Sequence, residues 1–141
     1  SGTARHRRYI MSYSNPIPLV FTNSTAGDFG AGTPTPWSFK GPKGKKGMLK
    51  DIGMHVTEVF LGDQVTGKVL VGTSTDANYY GQLEIADGTA ATDTFNAQDD
   101  TDAVIIEALP ADTQIEVSYI GVSDTATTTG IGFSYIETFW Y

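Results

Sequence analysis

Two runs of strict alternation limit what this chain can fold into more than any other feature. In residues 113–120, Ile115, Val117 and Tyr119 share one face while Gln114, Glu116 and Ser118 take the other. That is the period of two that sets one side of an antiparallel strand against a core. In residues 131–140, Ile131, Phe133, Tyr135, Glu137 and Phe139 alternate with Gly132, Ser134, Ile136, Thr138 and Trp140. Both faces of this second run carry large apolar groups, so one is expected to meet the core and the other a neighbour. Windows of Ala, Leu, Glu and Lys at helical spacing are missing. β-branched and aromatic residues instead fall in short runs broken by Gly, Asp, Asn and Pro. That pattern specifies an all-β chain.

Between residues 49 and 60, Ile52, Met54 and Val56 alternate with Gly53, His55 and Thr57 up to a turn at Gly62-Asp63. Gly53 and the β-branched content weigh against a helix there. Shorter strands are expected at 17–22, 37–40, 68–72, 83–85 and 104–106, with one helical turn over 76–82 and a tight turn at Leu109-Pro110-Ala111-Asp112. About eight short antiparallel strands suit an antiparallel two-sheet β-sandwich, jelly-roll-like in its connections. A length of 141 residues supports one such domain with a core of its own.

Charge divides the chain. Residues 1–50 hold eight of the nine basic residues against the single acid Asp28, while residues 51–141 hold Lys68 against fifteen acids. Residues 1–47, rich in Gly, Pro and Ser, therefore read as an extended basic arm with loops, and residues 48–141 as the sandwich. With no cysteine, a disulfide framework, a thiolate metal site and a catalytic thiol are excluded. No stretch approaches the ~20 apolar residues of a membrane helix, so a soluble chain without a membrane partner is expected. Arg5, Arg7 and Arg8 ahead of Tyr9-Ile10-Met11 imitate a signal peptide, but Ser12, Ser14, Asn15, Pro16 and Pro18 break the apolar region it needs.

The cationic elements are Arg5-His6-Arg7-Arg8 and the loop Gly41-Pro42-Lys43-Gly44-Lys45-Lys46-Gly47. Such clusters suit phosphates or an acidic protein surface, by an attraction that weakens with salt. The acidic body and the lack of a stacking motif beside the lysines disfavour nucleic acid. The loop also lacks P-loop spacing, and no G-x-G-x-x-G occurs. Asp99, Asp100 and Asp102, with Asp93 nearby, are hard oxygen ligands of the kind calcium takes. Their spacing is not that of an EF-hand, and a solvated acidic loop is expected, with no metal and no cofactor. His6 and His55 are the only imidazoles, no G-x-S-x-G elbow exists, and no nucleophile, base and orienting group can be named together, so an enzyme is not expected. Asn23-Ser24-Thr25 is formally a glycosylation acceptor. Phe39 and Phe139 read as core. Trp37, Trp140 and Tyr141 read as groups that cover a subunit interface.

The stretch Val69-Leu70-Val71-Gly72-Thr73-Ser74-Thr75-Asp76-Ala77-Asn78-Tyr79-Tyr80 is followed by Gly88-Thr89-Ala90-Ala91 and by Leu109-Pro110-Ala111-Asp112-Thr113 before a strand, with an aromatic strand at the end. In that order, over roughly residues 48–141, the chain resembles the small capsid decoration, or cement, proteins of tailed bacteriophages. The resemblance implies a non-enzymatic virion protein on the outer capsid surface. It would be a homo-oligomer, with a trimer favoured, that bridges neighbouring subunits of the major capsid protein. Arg5, Arg7, Arg8, Lys43, Lys45 and Lys46 are then the expected capsid-binding groups. A carbohydrate-binding module or adhesin is the alternative, with Trp37, Tyr79 and Tyr80 as stacking platforms.

Overall fold

A computed structural model describes residues 16–62, 64–100, 103–105, 108–123 and 127–141. Arg5, His6, Arg7, Arg8, Asp63, Asp102 and Ile106 lie outside them. The described chain is all-β: β1 (Ile17–Thr22), β2 (Gly27–Asp28), β3 (Trp37–Phe39), β4 (Gly47–Leu61), β5 (Lys68–Gly72), β6 (Gly81–Glu84), β7 (Thr94–Asn96), β8 (Val104–Ile105), β9 (Ala108–Leu109), β10 (Ile115–Ile120) and β11 (Thr129–Trp140).

Hydrogen bonding sorts these strands into two antiparallel sheets. One runs β1-β11-β4-β7, with β2 also on β11 and β9 also on β4; the other runs β3-β10-β5-β6-β8. Taking β9 as the outer neighbour of β4, the pairings β1-β11-β4-β9 and β3-β10-β5-β6 are those of a jelly roll. The chain crosses between sheets at β1 to β3, β3 to β4, β4 to β5, β6 to β9, β9 to β10 and β10 to β11. The pattern-based expectation of a β-sandwich holds.

The core lies between the sheets. Ile52, Met54 and Val56 of β4 face Val69 and Val71 of β5, Leu83 of β6, and Ile115 and Val117 of β10, all fully buried. Each such aliphatic side chain contributes roughly 1.5–3 kcal/mol by leaving water. Phe29, Phe60 and Tyr119 close one end, with ring centroids 5.1 Å and 5.3 Å from Phe29.

Three expectations change. Residues 76–82 form no helix: the amide of Tyr79 reaches the Asp76 carbonyl in a single turn at 3.3 Å, and β6 opens at Gly81. The expected boundary at residues 47/48 does not divide two bodies. β1 pairs with β11 along its whole length, β3 pairs with β10, and Gly47 is the first residue of β4. Leu19, Phe21 and Trp37 pack against the core, so residues 16–47 are part of the sandwich. In β11, finally, Phe139, expected in the core, stands on the outer face, because the smaller face is the inner one. Gly132, Ser134, Ile136, Thr138 and Trp140 are buried, while Phe133 points outward at 37% exposure.

Candidate functional site

One end of the sandwich gathers the lysines. Ile17 lies opposite Trp140, Trp140 opposite Gly47, and Gly47 also opposite Leu109, so the loop between β3 and β4, the entry to β1 and the turn before β10 all meet there. Lys40, Lys43, Lys45 and Lys46 belong to that loop and its flank. Lys50 follows three residues into β4, its ammonium 5.1 Å from the centre of the Phe139 ring. Five of the six lysines thus share one end. Among the described residues the only ion pair is Lys68–Glu84, at 3.8 Å on another strand pair. The lysines thus gather in space as they do along the sequence, with Asp112, Asp51 and Glu137 also at or beside that end.

The loop owes its glycines to packing. A Cβ on Gly41 would lie 2.3 Å from the Trp140 ring, and one on Gly47 would lie 2.7 Å from it. Both positions must stay bare for the indole to enter. The loop then turns at Pro42, whose carbonyl accepts from the Lys45 amide, and at Gly44, whose φ of +75° favours glycine and whose amide donates to Asp112 Oδ1. Lys46 and Tyr141 exchange both backbone hydrogen bonds, fixing the loop to the end of β11. So placed, Lys43 and Lys46 are exposed and Lys45 half-buried.

The three aromatic residues expected at a subunit contact separate. Trp140 is fully buried. Its Nε1 donates to Thr138 Oγ1, which donates in turn to the Leu19 carbonyl, and its ring meets Phe21 edge-on. An indole so enclosed has no surface to offer a partner, because the two bare glycines let the loop close over it. Tyr141 is 53% exposed beside the lysines. Trp37 is half-buried on the edge strand β3.

A sheet face is also left open. On the outer side of β11 and its neighbours stand Phe133, Tyr135, Phe139, Met48 and Val20, the last two exposed by 51% and 59%. Tyr135 lies across Gly53, whose Cβ would fall 2.0 Å from the phenol ring. Burial pushes the Tyr135 hydroxyl above its ordinary pKa, with the charges of Asp51, Glu137 and Asp99 acting the same way and a hydrogen bond with Asn96 acting against them. His55, also on this face, contacts Thr94 Oγ1 at 3.3 Å, with no carboxylate orienting it among the described residues.

The remaining candidates have structural duties. Asp99 Oδ2 accepts from the Asn96 amide, Asp100 Oδ2 accepts from the Glu84 amide at 2.8 Å, and Asp51 Oδ1 accepts from Ala97, so these carboxylates shape the loop around β7. No three acidic or histidine side chains converge among the described residues. Tyr80 is buried at 5% exposure beneath Tyr79 and cannot offer a ring face to a sugar, whereas Tyr79 is 47% exposed.

Residue-by-residue reading missed the surroundings of Trp37. A depression of about 470 Å³ is lined by Asn23, Thr25, Asp28, Thr33, Pro34 and Trp37, among others. Its signal was the run Thr33-Pro34-Thr35-Pro36, which holds backbone extended and brings threonine hydroxyls up to the tryptophan. Comparison with protein-family models, with curated proteins and with solved structures returns no match.

Proposed function

We propose that this protein is a non-enzymatic capsid decoration protein of a tailed bacteriophage, docking through its lysine-bearing end on acidic surface of the major capsid protein. The observation that carries this reading is the collection of five lysines, without an ion pair among the described residues, on a single end of the sandwich. The described chain also enters at that end, so the sequence bearing Arg5, Arg7 and Arg8 joins the sandwich beside Lys46 and Tyr141. Exposed pairs contribute only ~0.2–1 kcal/mol each. Repetition over the copies of an oligomer, a trimer on the resemblance, raises the total without new contacts. The open aromatic face of β11 supports a copy-to-copy contact of that kind.

Co-sedimentation with stripped capsids tests the proposal. The protein should bind at a fixed copy number per capsid subunit, with occupancy falling as salt rises. Reversing Lys43, Lys45 and Lys46 to glutamate together should lower occupancy at least tenfold, with unfolding free energy within about 0.5 kcal/mol of the parent. Deleting residues 1–10 should lower it further. Unchanged occupancy in both variants would sink the assigned docking end.

A further inference from the structure

The edge around Trp37 has a chemistry that the docking end lacks. Two depressions flank the indole and share Pro36 and Trp37: the one of about 470 Å³ and a second of about 340 Å³ bounded by Ser38, Gln114 and Glu116. Both volumes fall within the ~300–1,000 Å³ usual for small-molecule sites. The two open depressions meet at Pro36 and Trp37 beside the edge strand β3, with the indole between them, and this surface is termed the groove.

The ring is held. Trp37 Nε1 donates to Tyr119 Oη, and Tyr119 Oη lies 2.5 Å from Ser134 Oγ inside the sandwich. Tyr119 is buried at 6% exposure, and burial pushes its phenol above the ordinary pKa against the pull of hydrogen bonds with Ser134, Trp37 and Asn23, so the hydroxyl stays protonated at neutral pH. With its N–H committed inward, the indole has no donor left for a ligand. What it presents is a fixed apolar plane.

Polar groups around that plane are uncharged hydroxyls and amides, chiefly those of Thr25, Thr33, Ser38, Asn23 and Gln114. Among the described residues no lysine or arginine lines either depression, and the charged side chains there are Asp28 and Glu116. An anionic ligand, phosphate or nucleic acid included, is disfavoured by this lining. A flat apolar platform between arrays of neutral donors and acceptors matches a sugar ring, which has an aliphatic C–H face and hydroxyls around its rim.

We infer that the groove across Trp37 is a binding site for a neutral oligosaccharide. The groove is lined by none of the lysines of the docking end, and the inference does not rest on capsid docking. A virion-surface protein with both would hold the particle at one place and a cell-surface glycan at another.

Trp37 and Trp140 are the only tryptophans, and Trp140 is fully buried, so ligand-dependent change in indole emission reports on Trp37. The full chain is screened on an array of neutral glycans, and the best binder is titrated by fluorescence and calorimetry. Saturable binding with an emission change is expected. Trp37→Ala should weaken it at least tenfold. Gln114→Ala combined with Thr33→Ala, at exposed or rim positions that the core does not use, should weaken it about threefold or more. Tyr79→Ala, at an exposed aromatic outside the groove, should leave it unchanged. Absence of binding to every neutral glycan would overturn the site, as would binding insensitive to the Gln114/Thr33 pair or abolished by Tyr79→Ala. Capsid occupancy of these variants should match the parent, which separates this inference from the docking reading.

Discussion

Trp140 and Trp37 stand at opposite extremes of what one residue type does in a small β-sandwich. Each carries an N–H that finds a partner inside the same chain, Thr138 for one and Tyr119 for the other. Trp140 sits on the inner face of a central strand, and two glycines have cleared the space above it. Trp37 sits on an edge strand three residues long, where its ring stays partly exposed among the described residues. The first is a core residue whose role is to hold the lysine loop in place; the second keeps a surface that a ligand can reach. Strand position, not the side chain, sets the difference.

The largest test of that contrast is truncation. Trp140→Ala should cost about 3–5 kcal/mol in urea unfolding, by lost transfer energy and the cavity left behind. Trp37→Ala should cost less than half as much, since the ring is only partly buried. Equal costs in the two variants would break the distinction.

Next in size is the space above each ring. Gly41→Ala puts a methyl 2.3 Å from a fully buried indole that has nowhere to go, and should destabilise the chain by about 1–3 kcal/mol. Gly53→Ala meets the far end of the Tyr135 ring at 2.0 Å, yet that ring stands on the outer face and can swing into solvent. It should cost under about 1 kcal/mol. Thermal denaturation of the pair ranks them, and a larger loss at Gly53 would reverse the argument.

The smallest expected effect is alkaline. Tyr119 and Tyr135 both hold their phenolic protons more tightly than the ordinary value of 10.0. The folded state therefore binds more protons than the unfolded state above that pH, and stability falls as pH rises from about 10 through the folded-state values. Below pH 10 the two groups are protonated in both states and add no slope. Melting temperature followed from pH 8 to pH 11.5 should decline only in the upper part of the range. Tyr119→Phe should start lower, having lost the Trp37 partner, and decline less steeply. An identical slope in the variant would remove Tyr119 as the cause.

Much of the fold was legible because strands write their burial every second residue. Ile115, Val117 and Tyr119, and Ile52, Met54 and Val56, point inward as their alternation requires. β11 could not be oriented that way, because its outward Phe133 and Phe139 are more apolar than its inward Ser134 and Thr138. The hydroxyls of Ser134 and Thr138 are acceptable inside only because Tyr119, Trp140 and the Leu19 carbonyl satisfy them, and those partners are distant in sequence. The lysine cluster was visible as composition. That its glycines serve the indole was not, since the clash partner of Gly41 lies almost a hundred residues on. The groove at Trp37 went unseen for the same reason: Asn23, Thr33 and Gln114 become neighbours only when β3 pairs with β10.

Taken alone, the amino-acid sequence determined the all-β class, the inward residues of its regular strands, the missing thiol chemistry and the concentration of positive charge before residue 51. Periodicity, residue type and charge are local properties, and local reading recovers them. Only tertiary structure decided that residues 16–47 belong to both sheets, that Trp140 is core and Trp37 is surface, and that five lysines share one end. Those outcomes depend on which strands become neighbours, and strand pairing is set by the packing of the whole sandwich.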